Sequence, residues 1–262
     1  MINSELAKIE NWLRSNKLSL NHSKTKFMLV HSKRSHLAFN LYINNNKISQ
    51  ITSYEYLGVT IDDKLRWVNQ IKYIETKLSQ ACGAISRIRP FVDQACLRAL
   101  YFGHAYTYLQ YAILAWGSTF DSNLQHIKVL QNRVLRMLAL HGPLEGVELN
   151  NNELYANLNL LKLCDIHRLE TAKFMHRCTN GTLPLSFESY FQVKNPNIRL
   201  RSLASNPFRM QIVHTEAYKR SLTNNGIRVW NSLDSEIKKL PYHPFKTKLK
   251  EEIIKSYSLT PN

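Results

Sequence analysis

The sequence predicts an α+β chain: a small N-terminal unit of one helix and an antiparallel sheet, followed by a mostly α-helical remainder. Three observations carry that reading. Residues 4–15 repeat apolar side chains at helical spacing, with Leu6, Ile9 and Leu13 at i, i+3 and i+7. Residues 25–61 switch to short apolar runs bounded by polar clusters, the pattern of strands. From Trp67 the helical period returns and runs to about residue 178, and it resumes after the irregular stretch of 182–215.

Taken in order, the first helix carries Glu10 and Arg14 as an i, i+4 pair. Thr25–His31 reads as a strand. Leu41-Tyr42-Ile43 and Lys47-Ile48 flank Asn44-Asn45-Asn46, and asparagine tolerates the left-handed backbone of tight turns, so this is a β-hairpin. Tyr54–Ile61 reads as a further strand, with Gly58 inside it as a bulge or a close backbone approach. Residues 67–88 form a helix limited by Pro90, and 93–116 a second, rich in Tyr, Phe and Trp, buried and central. Asp121 caps a third, with Leu124, Ile127, Val134 and Leu138 on one face and His141-Gly142-Pro143 at its end. Residues 152–158 and 161–178 are two more, the latter stopped by Asn180-Gly181. Pro184, Pro196 and Pro207 punctuate an irregular basic stretch over 182–215, and Phe245–Ile254 forms a basic terminal helix. The expected divisions are 1–64, 65–181 and 182–262.

The chain has 262 residues, 44 % of them hydrophobic, enough for a sizeable core. Eight Gly and eight Pro exclude a collagen or a low-complexity linker. No apolar run approaches the ~18–20 residues of a membrane span, and no basic start with an apolar core marks a signal peptide. The expectation is an intracellular protein of nucleus or cytoplasm, without membrane partners. Cys82, Cys96, Cys164 and Cys178 form no C-x-x-C and read as reduced core thiols. The formal net charge is +16, and a surplus of that size favours a polyanion, most often nucleic acid. It is concentrated at the ends: residues 1–50 and 201–262 each carry +6, while 101–150 are neutral. Lys17, Lys24, Lys26, Lys33 and Arg34 are the first phosphate-contact candidates, and Lys246, Lys248, Lys250 and Lys255 the second, unless they are only solvated faces.

Other constellations are weaker. Asp62-Asp63 could hold metal for phosphoryl transfer, but no Asp precedes it to complete a site, and its place before a helix favours a cap. Cys164, His167, His176 and Cys178 fall on one expected helix, which would separate the outer two by roughly 20 Å and forbid a shared zinc. His104 reads as a packed core histidine. The aromatic stripe of 101–116 reads as core rather than as a stacking surface for bases. Neither a phosphate-cradling glycine loop nor a nucleophile elbow is present.

Two blocks carry a resemblance. Trp12-Leu13 with Asn16–Met28, containing Asn21-His22-Ser23-Lys24-Thr25, resembles the segment after the catalytic centre in reverse transcriptases of LINE-type, jockey-like non-LTR retrotransposons. Tyr54–Asp62 resembles the next block of that family, the hairpin that grips the primer. Ala115-Trp116-Gly117 and Val129–Arg133 look like the thumb and the region after it, and Arg228–Leu233 looks like the usual end of such chains. The resemblance implies a partial polymerase palm over 1–64, a helical thumb over 65–181 and a basic C-terminal region over 182–262. It implies that Lys24 sits near the phosphates of an incoming nucleotide, and that Tyr56, Leu57 and Gly58 touch the primer end. The partners implied are an RNA or RNA/DNA primer–template and the upstream part of the same polymerase. The aromatic-x-Asp-Asp motif of that family is absent, so the Mg2+ ions of its reaction would belong to a catalytic part that this chain lacks. The expectation is a fragment that binds nucleic acid and does not polymerise alone. Two alternatives stay open: polymerase activity on joining the missing half, and a non-functional relic or structural interaction protein.

Overall fold

The computed structural model describes residues 2–31, 39–43, 45–139, 150–191, 208–210 and 212–259. It is α+β and divides into two compact units, Met1–Gln70 and Ile71–Asn262.

The first unit opens with α1 (Ile2–Ser15), which packs on β2 (Leu41–Ile43); Asn3 Oδ1 accepts from the Tyr42 amide at 3.2 Å. Leu6 and Leu13 are half-buried, but Ile9 faces solvent, so the apolar stripe is only partly used. β2 pairs antiparallel with β3 (Asn46–Gln50) around a turn that includes left-handed Asn45, φ 60°, as the asparagine run predicts. Asn44 lies outside the described residues. β1 is shorter than expected, only Lys26–Phe27, and it runs parallel to β3. The three-stranded sheet, ordered β1-β3-β2, is therefore mixed rather than antiparallel. Its core is small: Ile43, Ile48 and, from the next hairpin, Val59.

Residues 54–61 do not form one strand. They fold as β4 (Ser53–Tyr56) and β5 (Val59–Asp62), with Tyr56 opposite Val59 and a two-residue loop of Leu57 and Gly58. Both loop residues have positive φ, 49° and 74°, the geometry of the tight hairpin turn whose twist matches its strands. Gly58 is thus a turn residue, not a bulge inside a strand.

The second unit is helical. α2 (Val68–Ile88) begins in the first unit and directs Ile74, Leu78, Cys82 and Ile85 inward within the second. The expected helix over 93–116 is broken. α3 (Gln94–Tyr101) passes through a π-helical turn at Phe102–Tyr106 into α4 (Thr107–Gln110). The chain then reverses at Tyr111 and left-handed Ala112, φ 51°, before the short α5 (Ile113–Trp116). The break turns Trp116 into the core, fully buried, where its indole N–H donates to the Tyr111 carbonyl at 2.8 Å. His104, on the π turn, faces solvent instead of packing inside.

α6 (Asp121–Ala139) takes Asp121 as its first helical residue rather than its cap. The expected stop at 141–143 lies outside the described residues. α7 (Asn151–Asn157) starts at a reciprocal cap: Asn150 Oδ1 accepts from the Glu153 amide and Glu153 accepts from the Asn150 amide. α8 (Leu163–Thr179) runs unbroken to Asn180 and left-handed Gly181. α9 (Glu216–Arg220), α10 (Leu222–Asn231), α11 (Ser235–Lys238) and α12 (Tyr242–Leu259) close the unit. α12 buries Phe245, Leu249, Ile253 and Tyr257, a strict i+4 ridge, against α7 and α8. Gly226 of α10 lies so near Met175 of α8 that a Cβ there would meet Met175 Sδ at 2.8 Å.

The four cysteines are free; Cys82 is buried, but Cys96 and Cys164 are exposed, so only part of the expected set belongs to the core. Among the described residues no helix is long and apolar enough to cross a membrane.

Buried phenols make the helical unit sensitive to alkali. Burial raises the pKa of Tyr101, Tyr155 and Tyr257 far above its ordinary value, with the Asp165 carboxylate adding to the rise at Tyr257, and lifts Tyr106 to about 12. A phenol whose folded pKa exceeds its unfolded value contributes stability that is complete below about pH 10 and is lost as pH climbs above it. The phenols' contribution to denaturation stability should therefore be constant through about pH 9 and decline above about pH 10. Tyr155→Phe should flatten the decline, and a slope unchanged in that variant would contradict the assignment.

Candidate nucleic-acid interface

The N-terminal candidates sit on backbone turns that local side chains stabilise. Just past the end of α1, Lys17 is left-handed at φ 56°. Its amide donates to Arg14 O at 3.0 Å, and the Leu18 amide donates to Leu13 O at 2.9 Å, a paired helix stop usually built on glycine. A lysine there accepts backbone strain of about 1 kcal/mol and presents its side chain to solvent.

Next comes the Asn21–Thr25 turn. Asn21 Oδ1 accepts from Ser23 Oγ at 2.8 Å and from the Lys24 amide at 3.1 Å. The Asn21 carbonyl accepts from the Thr25 amide at 3.0 Å and the Thr25 hydroxyl at 2.9 Å. The spacing Asn-x-x-Lys-Thr therefore has a physical reason: the asparagine holds the lysine's backbone, the threonine closes the turn, and the exposed Lys24 ammonium stands at its apex. Lys26 is exposed two residues later, at the start of β1.

The β4–β5 hairpin places Tyr56 and Leu57 at its tip, 60 % and 72 % exposed, with Tyr54 also open on the same face of β4. Leucine with φ 49° in this turn is strained, since the position normally takes Asn, Asp or Gly. The hairpin's open end is tied to the sheet region: the Asp63 amide donates to Thr52 O at 2.9 Å, and the Ile51 amide to Phe27 O at 2.9 Å. The tip lies about four strand residues, roughly 13 Å, from that junction. Lys24 and Lys26 thus form one local cluster, and Tyr56, Leu57 and Gly58 a separate projection of the same unit. Lys33 and Arg34 lie outside the described residues.

Asp62 does not cap α2, although its place before a helix predicts a cap; it holds the loop that precedes the helix. Oδ1 accepts from the Lys64 and Arg66 amides, both at 3.1 Å, and Oδ2 from the Trp67 amide at 2.7 Å. Leu65 and Trp67 are left-handed, φ 51° and 63°, so the carboxylate stabilises a strained loop that feeds α2. At the start of α2, buried Gln70 accepts from the Thr60 amide at 2.8 Å and ties β5 to the helix.

The C-terminal lysines do not form one patch. Lys246 and Lys250 lie four residues apart on one side of α12, whereas Lys248 is turned about 200° from Lys246. Lys250 is half-buried; desolvation first, then Arg98 and Lys246, lower its pKa. Arg98 itself donates to the Leu158 carbonyl and stacks on Phe102.

The Cys164–Cys178 set stays spread along unbroken α8 and cannot share one ion. Among the described residues no group of three or more His, Cys, Asp or Glu could hold a metal. The set's members have separate places. Burial lowers the His167 pKa. His176 is buried, with Nε2 donating to the Leu240 carbonyl at 2.8 Å and its ring 4.3 Å from that of Phe245, so it pins α8 to the turn before α12. This pin is not visible in the sequence, because a histidine at helical spacing carries no sign of which carbonyl it will meet.

Asp62→Ala should cost about 2 kcal/mol of stability in chemical denaturation, because three loop amides lose their acceptor, while Asp63→Ala should cost well under that. Equal effects would contradict this role of Asp62.

No protein-family model matches the chain, and no curated protein and no solved structure matches it.

Proposed function

We propose that this chain is a nucleic-acid-binding segment of a retrotransposon-type RNA-directed DNA polymerase, one that holds primer–template but does not polymerise alone. The observation that carries the reading is the Asn21 turn, which fixes the backbone of Lys24 and presents its ammonium beside exposed Lys26. Clustered cations on ordered backbone suit phosphate contacts, which position a duplex without reading its sequence. The projecting Tyr56-Leu57-Gly58 tip supports the same reading: an aromatic and a bare backbone glycine can approach a primer end closely. The net charge of +16 supports it at long range.

Catalysis by two metals needs free carboxylates, and the Asp62 carboxylate is committed to three backbone amides. The residues therefore support binding better than chemistry. Polymerase activity on joining a catalytic part is the second reading, carried by the likeness of Asn21–Thr25 to the segment after such a part.

Fluorescence anisotropy with a labelled RNA/DNA hybrid, titrated across salt concentrations, tests the proposal. Binding should be micromolar or tighter at low salt and weaken on a log–log plot by about 0.9 per phosphate contact, the value for duplex DNA. The double variant Lys24→Ala, Lys26→Ala should lower that slope by roughly 2. Salt-insensitive binding, or none at low salt, would overturn the proposal.

A further inference from the structure

The helical unit contains a second basic site, which the lysine pattern of the sequence does not single out. A cleft of about 280 Å3 opens between the α5–α6 turn, α8, α9 and α10. Its walls carry three cations, Lys219, Arg220 and Arg228, against one carboxylate, Glu216. Lys219 Nζ lies 2.7 Å from Glu216 Oε1, and Arg220 Nη2 lies 3.7 Å from Glu216 Oε2. Glu216 is thus shared between two cations, and its carboxyl pKa is lowered, by Lys219 most and by Arg220 and Arg228 further. The Arg228 side chain is exposed and has no carboxylate partner of its own among the described residues.

The opposite wall is neutral and closely fitted. Gly117 brings the α5–α6 turn against His167 of α8: a Cβ on Gly117 would meet Ile113 O at 2.5 Å and His167 Cδ2 at 2.9 Å. Burial lowers the His167 pKa, so the ring adds hydrogen-bonding nitrogen but no charge near neutrality. At the rim the Arg220 guanidinium lies over the Phe120 ring, 3.9 Å from its centroid, and Phe120 is 49 % exposed. A guanidinium this close over an exposed aromatic ring offers a surface on which a nucleobase can stack.

We infer that this cleft binds one nucleotide unit of a single-stranded nucleic acid, with Arg228 and Lys219 on the phosphate and the Arg220–Phe120 stack beneath the base. The inference deepens the nucleic-acid reading above and rests on it. Two net positive charges match a phosphodiester with surplus. The stacking platform separates a nucleotide from an acidic peptide, which would use the cations and leave the platform idle.

The test uses the full chain and a labelled 12-nucleotide single strand, followed by anisotropy across salt. Arg228→Ala should weaken binding roughly tenfold and flatten the salt slope by about 0.7, the single-strand value for one phosphate contact. Arg228→Lys should restore the slope but only part of the affinity. Glu216→Gln should tighten binding, because it removes the competing carboxylate. Unlabelled oligonucleotide should compete far better than polyglutamate or inorganic phosphate of equal charge concentration. Unchanged binding by Arg228→Ala, with Lys24→Ala, Lys26→Ala still weakened, would overturn the cleft and leave the N-terminal interface standing. Equal competition by polyglutamate would overturn its assignment to nucleic acid. If the parent binds neither duplex nor single strand at low salt, both readings fall. If it fails only on duplex while single-strand binding depends on Arg228, the primer–template reading alone falls.

Discussion

The side-chain amide of Gln131, sealed from water in the middle of α6, sets the arrangement of the helical unit. Its Nε2 donates to the Leu161 carbonyl at 2.9 Å and to the Tyr101 hydroxyl at 3.2 Å, and its Oε1 accepts from the Leu163 amide at 3.0 Å. Leu163 opens α8, and the preceding Lys162 supplies no side-chain cap. The amides at a helix start have no partners within the helix. Gln131 serves one from a distance, and Tyr257 Oη, at 3.2 Å from the Lys162 amide, serves its neighbour while donating to Asp165 Oδ2 at 2.5 Å. α8 is thereby tied to α6 and α12 through its first turn, and it carries both His176 and the His167 wall of the cleft. A buried amide left without its acceptor costs about 1–3 kcal/mol, comparable to a large core side chain, so a polar residue in this core is held as firmly as the leucines around it.

The smaller unit meets the same constraint with less core. Only Ile43, Ile48 and Val59 are buried hydrophobics among its described residues, so its turns are held by local side chains. Asn21 holds the Lys24 turn, Asp62 holds the loop into α2, and Gln70 holds β5. Rigidity at Lys24 and at the hairpin therefore comes from hydrogen bonds within a few residues of the candidate contacts. That arrangement keeps Lys24 and Lys26 exposed, and the left-handed Lys17 and Leu57 place charge and apolar surface on two of its exposed turns.

Much of this was legible, and the failures have physical causes. The α2 span follows from its apolar period and from Pro90, both local signals. The Asn45 turn and the Gly181 stop follow from residues that tolerate positive φ. The β4–β5 turn was hidden because Leu57 is not a residue that advertises left-handed backbone; only Gly58 did, and one glycine fits a bulge as well as a turn. The break at Ala112 was hidden for the same reason. Parallel pairing of β1 with β3 depends on tertiary placement, which a two-residue strand cannot signal. At the candidate sites, the position of Asp62 before a helix suggests a helix cap, but its carboxylate holds the loop amides of Lys64, Arg66 and Trp67 and none of α2. The separation of Lys248 from Lys246 and Lys250 follows from helical spacing alone. The cleft was not readable, because Arg220 and Arg228 lie on different helices and Phe120 lies about a hundred residues upstream.

On the proposed reading, the first unit meets nucleic acid through the Asn21–Lys26 turn and the β4–β5 tip. Amide hydrogen exchange of the full chain, with and without an RNA/DNA hybrid at low salt, tests it most directly. Adding the hybrid should slow exchange at residues 21–27 and 54–61, and high salt should reverse that slowing. Exchange unchanged in both segments while the hybrid is bound would contradict the claim.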